Sequence, residues 1–287
     1  MIQTSAKVNL ALEVLGKRPD GYHELSTVLQ AVDLFDRLTL EDAARLTLRV
    51  SGGMTADDDN LVLRAARLLG EAAGVERGAA IHLEKRIPVA AGLGGGSSDA
   101  AAALWGLSRL WGLRWSRARL AELAVRLGMD VPFFLGGGCA LATGRGERLR
   151  AVTVAGGHAL VLVNPNFPLS TAEVYRRVPA GWTADAAGTG RVVRALRRRD
   201  RAGLGAALVN NLEPVVAPIA PAVAQMKAAV VAAGGLGAVM SGSGPTVFGL
   251  ARSLDHACAI RDRVRRRGWS AWAVRTISGP CIRPMTR

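Results

Sequence analysis

Between Ile87 and Leu104 the chain reads IPVAAGLGGGSSDAAAAL, with glycine at 92, 94, 95 and 96, then Ser97 and Ser98, then a run of alanines. Glycine tolerates backbone angles that other residues resist, so such a loop can turn its N–H groups inward around an anion. The alanines behind it favour helix. A glycine loop feeding a helix N-terminus aims unpaired N–H donors and the positive end of a helix dipole at one point, which is phosphate-binding chemistry. The same small residues could serve only to let a helix pack closely, and the loop alone does not separate the two. Lys7, two residues before Asn9, is a cation that could aim into a cleft opposite the loop, and Asp130, in Gly128-Met129-Asp130-Val131-Pro132, is an acid between a helix end and a proline. Each also has a plain reading, Lys7 as a solvated strand face and Asp130 as a turn or cap residue.

Commoner phosphate loops do not fit. Walker A needs Lys-Ser/Thr after its last glycine, and here Ser97-Ser98 follows with no lysine. The dinucleotide pattern G-x-G-x-x-G, counted from Gly92, puts Ser97 where the third glycine belongs. The protein-kinase set H-R-D and D-F-G is absent.

The elements that must position these groups can be read in order. In SAKVNLALEV (5–14), Ala6, Val8, Leu10, Leu12 and Val14 fall on one face, and Ser5, Lys7, Asn9, Ala11 and Glu13 on the other. This predicts a half-buried strand with Lys7 and Asn9 side by side on its polar face. A Pro-Asp-Gly turn at 16–21 delivers Tyr22 and His23. Strands are expected over 24–32 and near 37–41, 45–50 and 79–84. Asp57-Asp58-Asp59 reads as solvated, and Asn60 as the N-cap of a helix from 61 to about 72. Helices follow at 97–111 and 116–127, then strands near 138–143 and 147–154. Gly156-Gly157 is the expected linker. Beyond it come an apolar strand at 158–163, a short helix capped by Ser170-Thr171 and carrying Tyr175, and Arg-rich helices over 189–207. An apolar helix over 218–233, a second glycine cluster (GGLGAVMSGSG, 234–244), a strand at 246–250, a helix at 254–267 and a strand at 270–275 complete the pattern. Strand–helix alternation in this half suggests helices on one sheet.

Composition bounds the function. A chain of 287 residues, 49% hydrophobic, can bury the core of one large or two modest domains. No apolar run is long enough to span a bilayer, since 214–240 is broken by Pro218, Pro221, Lys227 and Gly234-Gly235. No basic-then-apolar leader opens the sequence, and Cys139, Cys258 and Cys281 are odd in number and scattered. A cytoplasmic protein without a disulfide framework or zinc cage is therefore expected. The net charge of +14 is uneven, +2 over 1–155 and +12 over 156–287. A basic half could suit nucleic acid. However, 33 of the 37 basic residues are arginine in an alanine-rich chain, which looks like codon composition as much as selection for a polyanion.

Three stretches, SAKVNLALEVLGKRPDGYHEL (5–25), PVAAGLGGGSSDAAAAL (88–104) and GAVMSGSGPTVF (237–248), resemble in order and spacing the GHMP family of small-molecule kinases, which act on galactose, homoserine, mevalonate and phosphomevalonate. The resemblance spans essentially the whole chain. It implies an α+β, two-domain fold, with an ATP-binding domain over 1–156 like ribosomal protein S5 domain 2 and a ferredoxin-like domain over 157–287. The A-K-x-N-L start, the P-D-G-Y-H-E-L turn, G-M-D-V-P-F-F and the triple-glycine loop resemble the branch that phosphorylates the 2-hydroxyl of a cytidine-diphosphate-linked methylerythritol.

By this resemblance Lys7 and Asp130 are the catalytic pair, which displaces the turn reading of Asp130. Asp130 would orient or deprotonate the attacking hydroxyl, and Lys7 would keep it ionised and balance charge on the transferred group. At roughly 4 Å and an effective dielectric near 20, such a pair attracts by about 4 kcal/mol. Pro88 and the loop Gly92, Leu93, Gly94, Gly95, Gly96, Ser97 and Ser98 would wrap the ATP phosphates, the two serines donating hydroxyls. Asn60 and Lys85 would contact the nucleotide. Mg²⁺ is expected with ATP and with few protein ligands. Asp99 reads as helix capping or packing. Tyr22 and Tyr175 would sandwich a cytosine, each being equally at home in ordinary packing, with His23 bonding the ring edge. Asn9 would meet the erythritol part, and Thr171, Gly242 and Gly244 would line the substrate cleft. A monomer or weak homodimer is expected. The alternatives are another alcohol kinase of the family, for homoserine or a mevalonate derivative, and a basic nucleic-acid binder on an S5-like domain. The PDGYHEL turn argues against the first. The distance of Arg191–Arg201 and Arg261–Arg267 from the motifs argues against the second.

Overall fold

The computed structural model describes residues 1–51, 59–154 and 157–285. Asp57, Asp58 and Gly156, named above in the acidic run and the linker, lie outside the described residues. β1 (Ile2–Lys17) and β2 (His23–Ala43) form a long antiparallel pair. The two strands expected over 24–41 are one: a register shift opposite Ser5 and Ala6 absorbs the polar break at Asp33, as a bulge does. β3 (Thr47–Ser51) runs parallel to β4 (Gly78–Glu84), with α1 (Leu61–Ala73) between them. Asn60 caps α1 by accepting the Val62 N–H at 2.9 Å.

α2 (Gly95–Leu110), α3 (Arg117–Leu127) and α4 (Val131–Gly136) follow, then the hairpin β5 (Cys139–Gly144) and β6 (Arg148–Ala151). The six-residue α4 is absent from the sequence reading, because its apolar VPFFLG is too short to show a helical period.

The second half holds β7 (Ala159–Asn164), α5 (Thr171–Arg176), α6 (Ala187–Arg198), α7 (Arg201–Ala207) and β8 (Val209–Asn210). It continues through α8 (Glu213–Val216), α9 (Ala222–Ala232), β9 (Ala238–Met240), β10 (Val247–Ala251), α10 (Leu254–Arg265), β11 (Ser270–Arg275) and β12 (Ile282–Pro284). The helix expected over 218–233 starts only at Ala222, after Pro221. The antiparallel sheet order β11-β7-β10-β9, with α9 and α10 as its crossovers, is the ferredoxin-like βαββαβ arrangement.

The larger sheet runs β12-β1-β2-β4-β3, with β5 and β6 on the other end of β2. Two of its members cross the expected boundary at 156–157: β8 pairs parallel with Ala11 and Leu12, and β12 pairs with Ile2 to Thr4. The half-buried strand expected at 5–14 is buried from Thr4 through Val14. Ala6, Val8, Leu10 and Ala11 join Leu160, Leu162, Val192 and Phe248 in one apolar cluster that ties the halves together. Glu13 fastens the seam: its buried carboxylate accepts the Gly188 and Thr189 N–H groups at 3.0 and 2.7 Å, and the Thr189 hydroxyl at 2.6 Å, at the start of α6.

Candidate active site

α2 begins at Gly94, which sits in the left-handed region (φ 70°) with no side chain capping the helix, so the first-turn amides are left for a ligand. Two glycines are obligatory here. A Cβ on Gly92 (φ +75°) would lie 2.1 Å from the Ser241 carbonyl, and one on Gly94 would lie 2.9 Å from the Phe134 ring and 3.0 Å from the Lys7 chain. The third motif buttresses the loop: the Ser241 hydroxyl donates to the Gly92 carbonyl at 2.9 Å and accepts the Asn9 N–H at 3.3 Å. The Thr246 N–H donates to Ala91.

Lys7 reaches the loop from β1. Its backbone N–H donates to the Leu93 carbonyl at 3.0 Å, and its Nζ donates to Asn9 Oδ1 at 2.7 Å. Asn9 is oriented in turn by donating to Thr27 Oγ1 at 2.9 Å. Asp130 stands at the N-cap position of α4 but makes no cap bond; its Oδ2 lies 3.2 Å from Lys7 Nζ. The Lys7 side chain is only 5% exposed, whereas that of Asp130 is 36% exposed. Buried lysine and half-open carboxylate thus meet in one cavity of about 960 Å³, whose wall also carries Gly92, Gly94, Gly95, Gly96 and Ser97.

The cavity wall includes Asn9, Tyr22, His23, Asn60, Lys85, Pro88, Thr171, Tyr175 and Gly242 as well. The ring packed on Tyr175 is that of His23, with centroids 5.3 Å apart and planes tilted by 38°. Tyr22 is half-exposed, with the Arg145 guanidinium 5.0 Å from its ring centre. Burial, with a smaller push from Lys17, holds the His23 imidazole below its usual pKa. Burial, and then the nearby Asp130, push the Tyr175 phenol up. Thr171 shares a hydrogen bond of 2.7 Å with Ser243.

Several expectations are corrected. Ser98 does not offer its hydroxyl to a phosphate: it is fully buried, donates to the Ser5 carbonyl at 2.6 Å and lies 2.5 Å from the Thr4 hydroxyl. One turn of helix carries it past the loop and into the core. Leu93 turns its side chain into the core and shows the loop only its backbone. Gly244 lies behind the cavity wall, its N–H bonded to the Ser241 carbonyl at 2.9 Å. The Lys85 ammonium is committed beneath the loop, to Asp36 at 2.5 Å and Asp99 at 2.8 Å. Asp99 makes no cap; it is one arm of that buried cluster. Arg145 and Ser243 line the cavity but escape the sequence reading, as does the supporting Thr27. For Ser243 the signal was its place inside SGSG, and for Arg145 the Gly-Arg-Gly turn between two expected strands. Among the described residues no group of three or more His, Cys, Asp or Glu side chains is gathered to hold a metal ion.

A glycine loop with open helix amides, an ammonium–carboxylate pair beside it, and a ferredoxin-like half closing the cavity describe a phosphoryl-transfer site of a small-molecule kinase. The model of the GHMP kinases N terminal domain matches residues 60–138, and that of the GHMP kinases C terminal domain matches 192–270. The chain belongs to the GHMP kinase family. The 4-diphosphocytidyl-2-C-methyl-D-erythritol kinase of Pelotomaculum thermopropionicum is 50% identical over 276 residues, covering 95% of this chain and 96% of that one. A crystal structure of a 4-(cytidine 5'-diphospho)-2C-methyl-D-erythritol kinase superposes with a TM-score of 0.83 at 38% identity, over 97% of this chain and 100% of the other. Homoserine kinase from Cytophaga hutchinsonii shares the fold, with a TM-score of 0.78 at 20% identity over 98% and 96% of the two chains.

Proposed function

We propose that this protein transfers the γ-phosphoryl group of ATP to the 2-hydroxyl of 4-diphosphocytidyl-2-C-methyl-D-erythritol, a step of the non-mevalonate route to isoprenoid precursors. The observation that carries the reading is the Lys7–Asp130 pair, 3.2 Å apart, on the same cavity wall as the uncapped glycine loop and the Tyr22, His23 and Tyr175 rings. The loop amides and Ser97 receive the triphosphate. Magnesium enters as part of the nucleotide substrate, holding phosphate oxygens and water, which this ion releases reluctantly.

The substrate hydroxyl approaches Asp130, which orients it and accepts its proton. The freed oxygen forms the new bond to the γ-phosphorus as the bond to the β,γ-bridging oxygen breaks, and ADP leaves. Lys7 balances the charge spread over the transferred group, and Asn9 holds Lys7 in place through the 2.7 Å bond. Little covalent work falls to the protein in a loose transfer of this kind, so positioning and charge supply most of the rate. On the same cavity wall the aromatic side chains suit a pyrimidine ring, each base–aromatic contact contributing about 1–3 kcal/mol in related stacking. The neutral His23 imidazole offers one donor and one acceptor to the ring edge.

The 50% identity with the Pelotomaculum thermopropionicum kinase over nearly both whole chains supports this choice of alcohol. No helix among the described residues is long and apolar enough to cross a membrane, and we place the protein in the cytoplasm as a monomer or weak homodimer. The test is ADP release with the cytidylated methylerythritol set against homoserine and mevalonate. Turnover with the first alone is expected; equal turnover with either of the others refutes the assignment.

A further inference from the structure

Beneath the glycine loop lies a charge cluster that the proposed reaction does not use. Lys85 Nζ bonds Asp36 Oδ2 at 2.5 Å and Asp99 Oδ2 at 2.8 Å, and all three side chains are buried. The two carboxylates are unequal. Asp36 Oδ1 accepts the Arg86 and Ile87 N–H groups at 2.5 and 2.9 Å, so with Lys85 it has three donors, and its carboxylate also lies against that of Asp99. Asp99 Oδ1 is buried and accepts from no donor, although Asp99 is on the cavity wall.

Two buried carboxylates on one ammonium leave a net negative charge. Here that charge sits between β2 and the start of α2, under a loop whose task is to receive a polyphosphate. The loop is close to it, since a Cβ on Gly95 would lie 3.1 Å from Lys85 Nζ. Other charges do not relieve it. Lys7, across Gly94, is spent on Asp130 and Asn9. Arg64 on α1 is exposed, and the segment shows this part of the cavity Asn60 and Leu61. On β4, His82 and Glu84 alternate to the face opposite Leu83.

We propose that Asp99 carries a proton in the resting protein, and that nucleotide binding over the glycine loop is linked to that proton. It rests on the reading of the loop as the nucleotide-phosphate site. The asymmetry assigns the proton to Asp99: Asp36 accepts from three donors, whereas Asp99 accepts only from Lys85 and its other oxygen can bear a hydrogen. Burial pushes the Asp99 carboxyl up, Lys85 pulls it down and Asp36 pushes it up again, for a net rise to about 8. Burial works against the Lys85 ammonium, but Asp99 and Asp36 outweigh it and hold its pKa above the usual lysine value. The cluster is therefore neutral below about pH 8 and carries one negative charge above it. A bound diphosphate favours the protonated form, so binding draws a proton from solvent above that point, and affinity falls as the pH rises through it.

The experiment is calorimetric titration of the full chain with ADP at about pH 9, in buffers of different ionisation enthalpy, so that proton uptake is read directly. Wild type is expected to take up close to one proton, and Asp99→Asn none. Between about pH 7.5 and 9.5 the ADP Kd should rise roughly twentyfold in wild type and by less than about twofold in Asp99→Asn. Equal proton uptake by the two proteins, or a tenfold loss of ADP affinity in Asp99→Asn already at neutral pH, overturns the proposal, since the second is what an essential Asp99⁻–Lys85⁺ pair requires. A second measurement needs neither nucleotide nor variant stability. The Asp99 carboxyl carbon, followed by NMR in the free protein, should titrate near about 8, and a midpoint below about 5 refutes the protonation. Failure of ADP to bind refutes the loop reading and the linkage together, while the carbon titration still judges the proton by itself. Failure of the alcohol assignment leaves both measurements untouched.

Discussion

Replacing Asp130 with Asn keeps the size of the side chain and its place at the start of α4, but removes one negative charge and one proton acceptor. At the observed 3.2 Å and an effective dielectric near 20, the attraction between Lys7 and Asp130 is about 5 kcal/mol. Asp130 is 36% exposed, so water screens the pair, and about half of that figure, roughly 2.5 kcal/mol, is the part that holds the carboxylate against the reacting hydroxyl. That alone is worth nearly 10²-fold in rate. If the carboxylate also takes the proton, general-base catalysis adds a contribution of its own, about 10²-fold or more. The expected fall in kcat is thus about 10²-fold for a residue that only orients the alcohol, and about 10⁴-fold for a true base. The nucleotide touches the loop rather than Asp130, so the KM for ATP should change by less than about threefold. The assay is steady-state ADP release with each substrate varied in turn, alongside calorimetric ADP binding to show that the loop is intact. A kcat within tenfold of wild type would remove Asp130 from the mechanism, and with it the reason for burying Lys7 beside it.

Three other perturbations probe the supports of the site. Gly92→Ala forces a Cβ to within 2.1 Å of the Ser241 carbonyl at a φ of +75°, so the loop must shift; the ADP Kd should rise about tenfold or more, and an unchanged Kd refutes the buttressing role of the third motif. Glu13→Gln weakens three charge-assisted bonds at the start of α6, lowering the unfolding free energy in urea by about 2 kcal/mol without changing ADP affinity; a loss under about 0.5 kcal/mol would show that Glu13 does not fasten the two halves. His23, held below its usual pKa by burial and then by Lys17, is neutral at pH 7 and gains its charge only on acidification. The KM for the cytidylated alcohol should therefore stay flat above about pH 6.5 and rise below it, while in His23→Phe the KM is raised throughout and loses that dependence; an identical acid limb in both proteins rules out His23 as its source.

The parts of the site that could be read from the sequence are those where chemistry and local geometry coincide. Lys7 and Asn9 share a face by strand parity, and the loop before α2 turns at Gly92 and Gly94, where positive φ favours glycine, so both are visible in a short window. Asp130 was not visible in that way: beside a proline it reads as a cap, and only the three ordered motifs gave it another role. Strand parity also failed in an instructive manner. It pairs Lys7 with Asn9, but the register shift between Asn9 and Ala11 turns Leu12 to the cavity and Glu13 to α6. It also misses the burial, because burial depends on what covers the sheet, and the cover includes Val192 and Leu196 of α6 and Leu160 and Phe248 of the second half, far away in sequence. Ser98 was misjudged for the complementary reason. In sequence it is the twin of Ser97, but along a helix adjacent residues point about 100° apart, so one serine faces the cavity and the other the Thr4 hydroxyl. The least readable feature was Asp36, an acid in the apolar run Leu34-Phe35-Asp36-Arg37-Leu38 that nothing local explains. Its purpose appears only when the chain has folded Lys85 and Asp99 onto it, and a carboxylate that is costly to bury is tolerated there because it holds the floor of the phosphate loop in place.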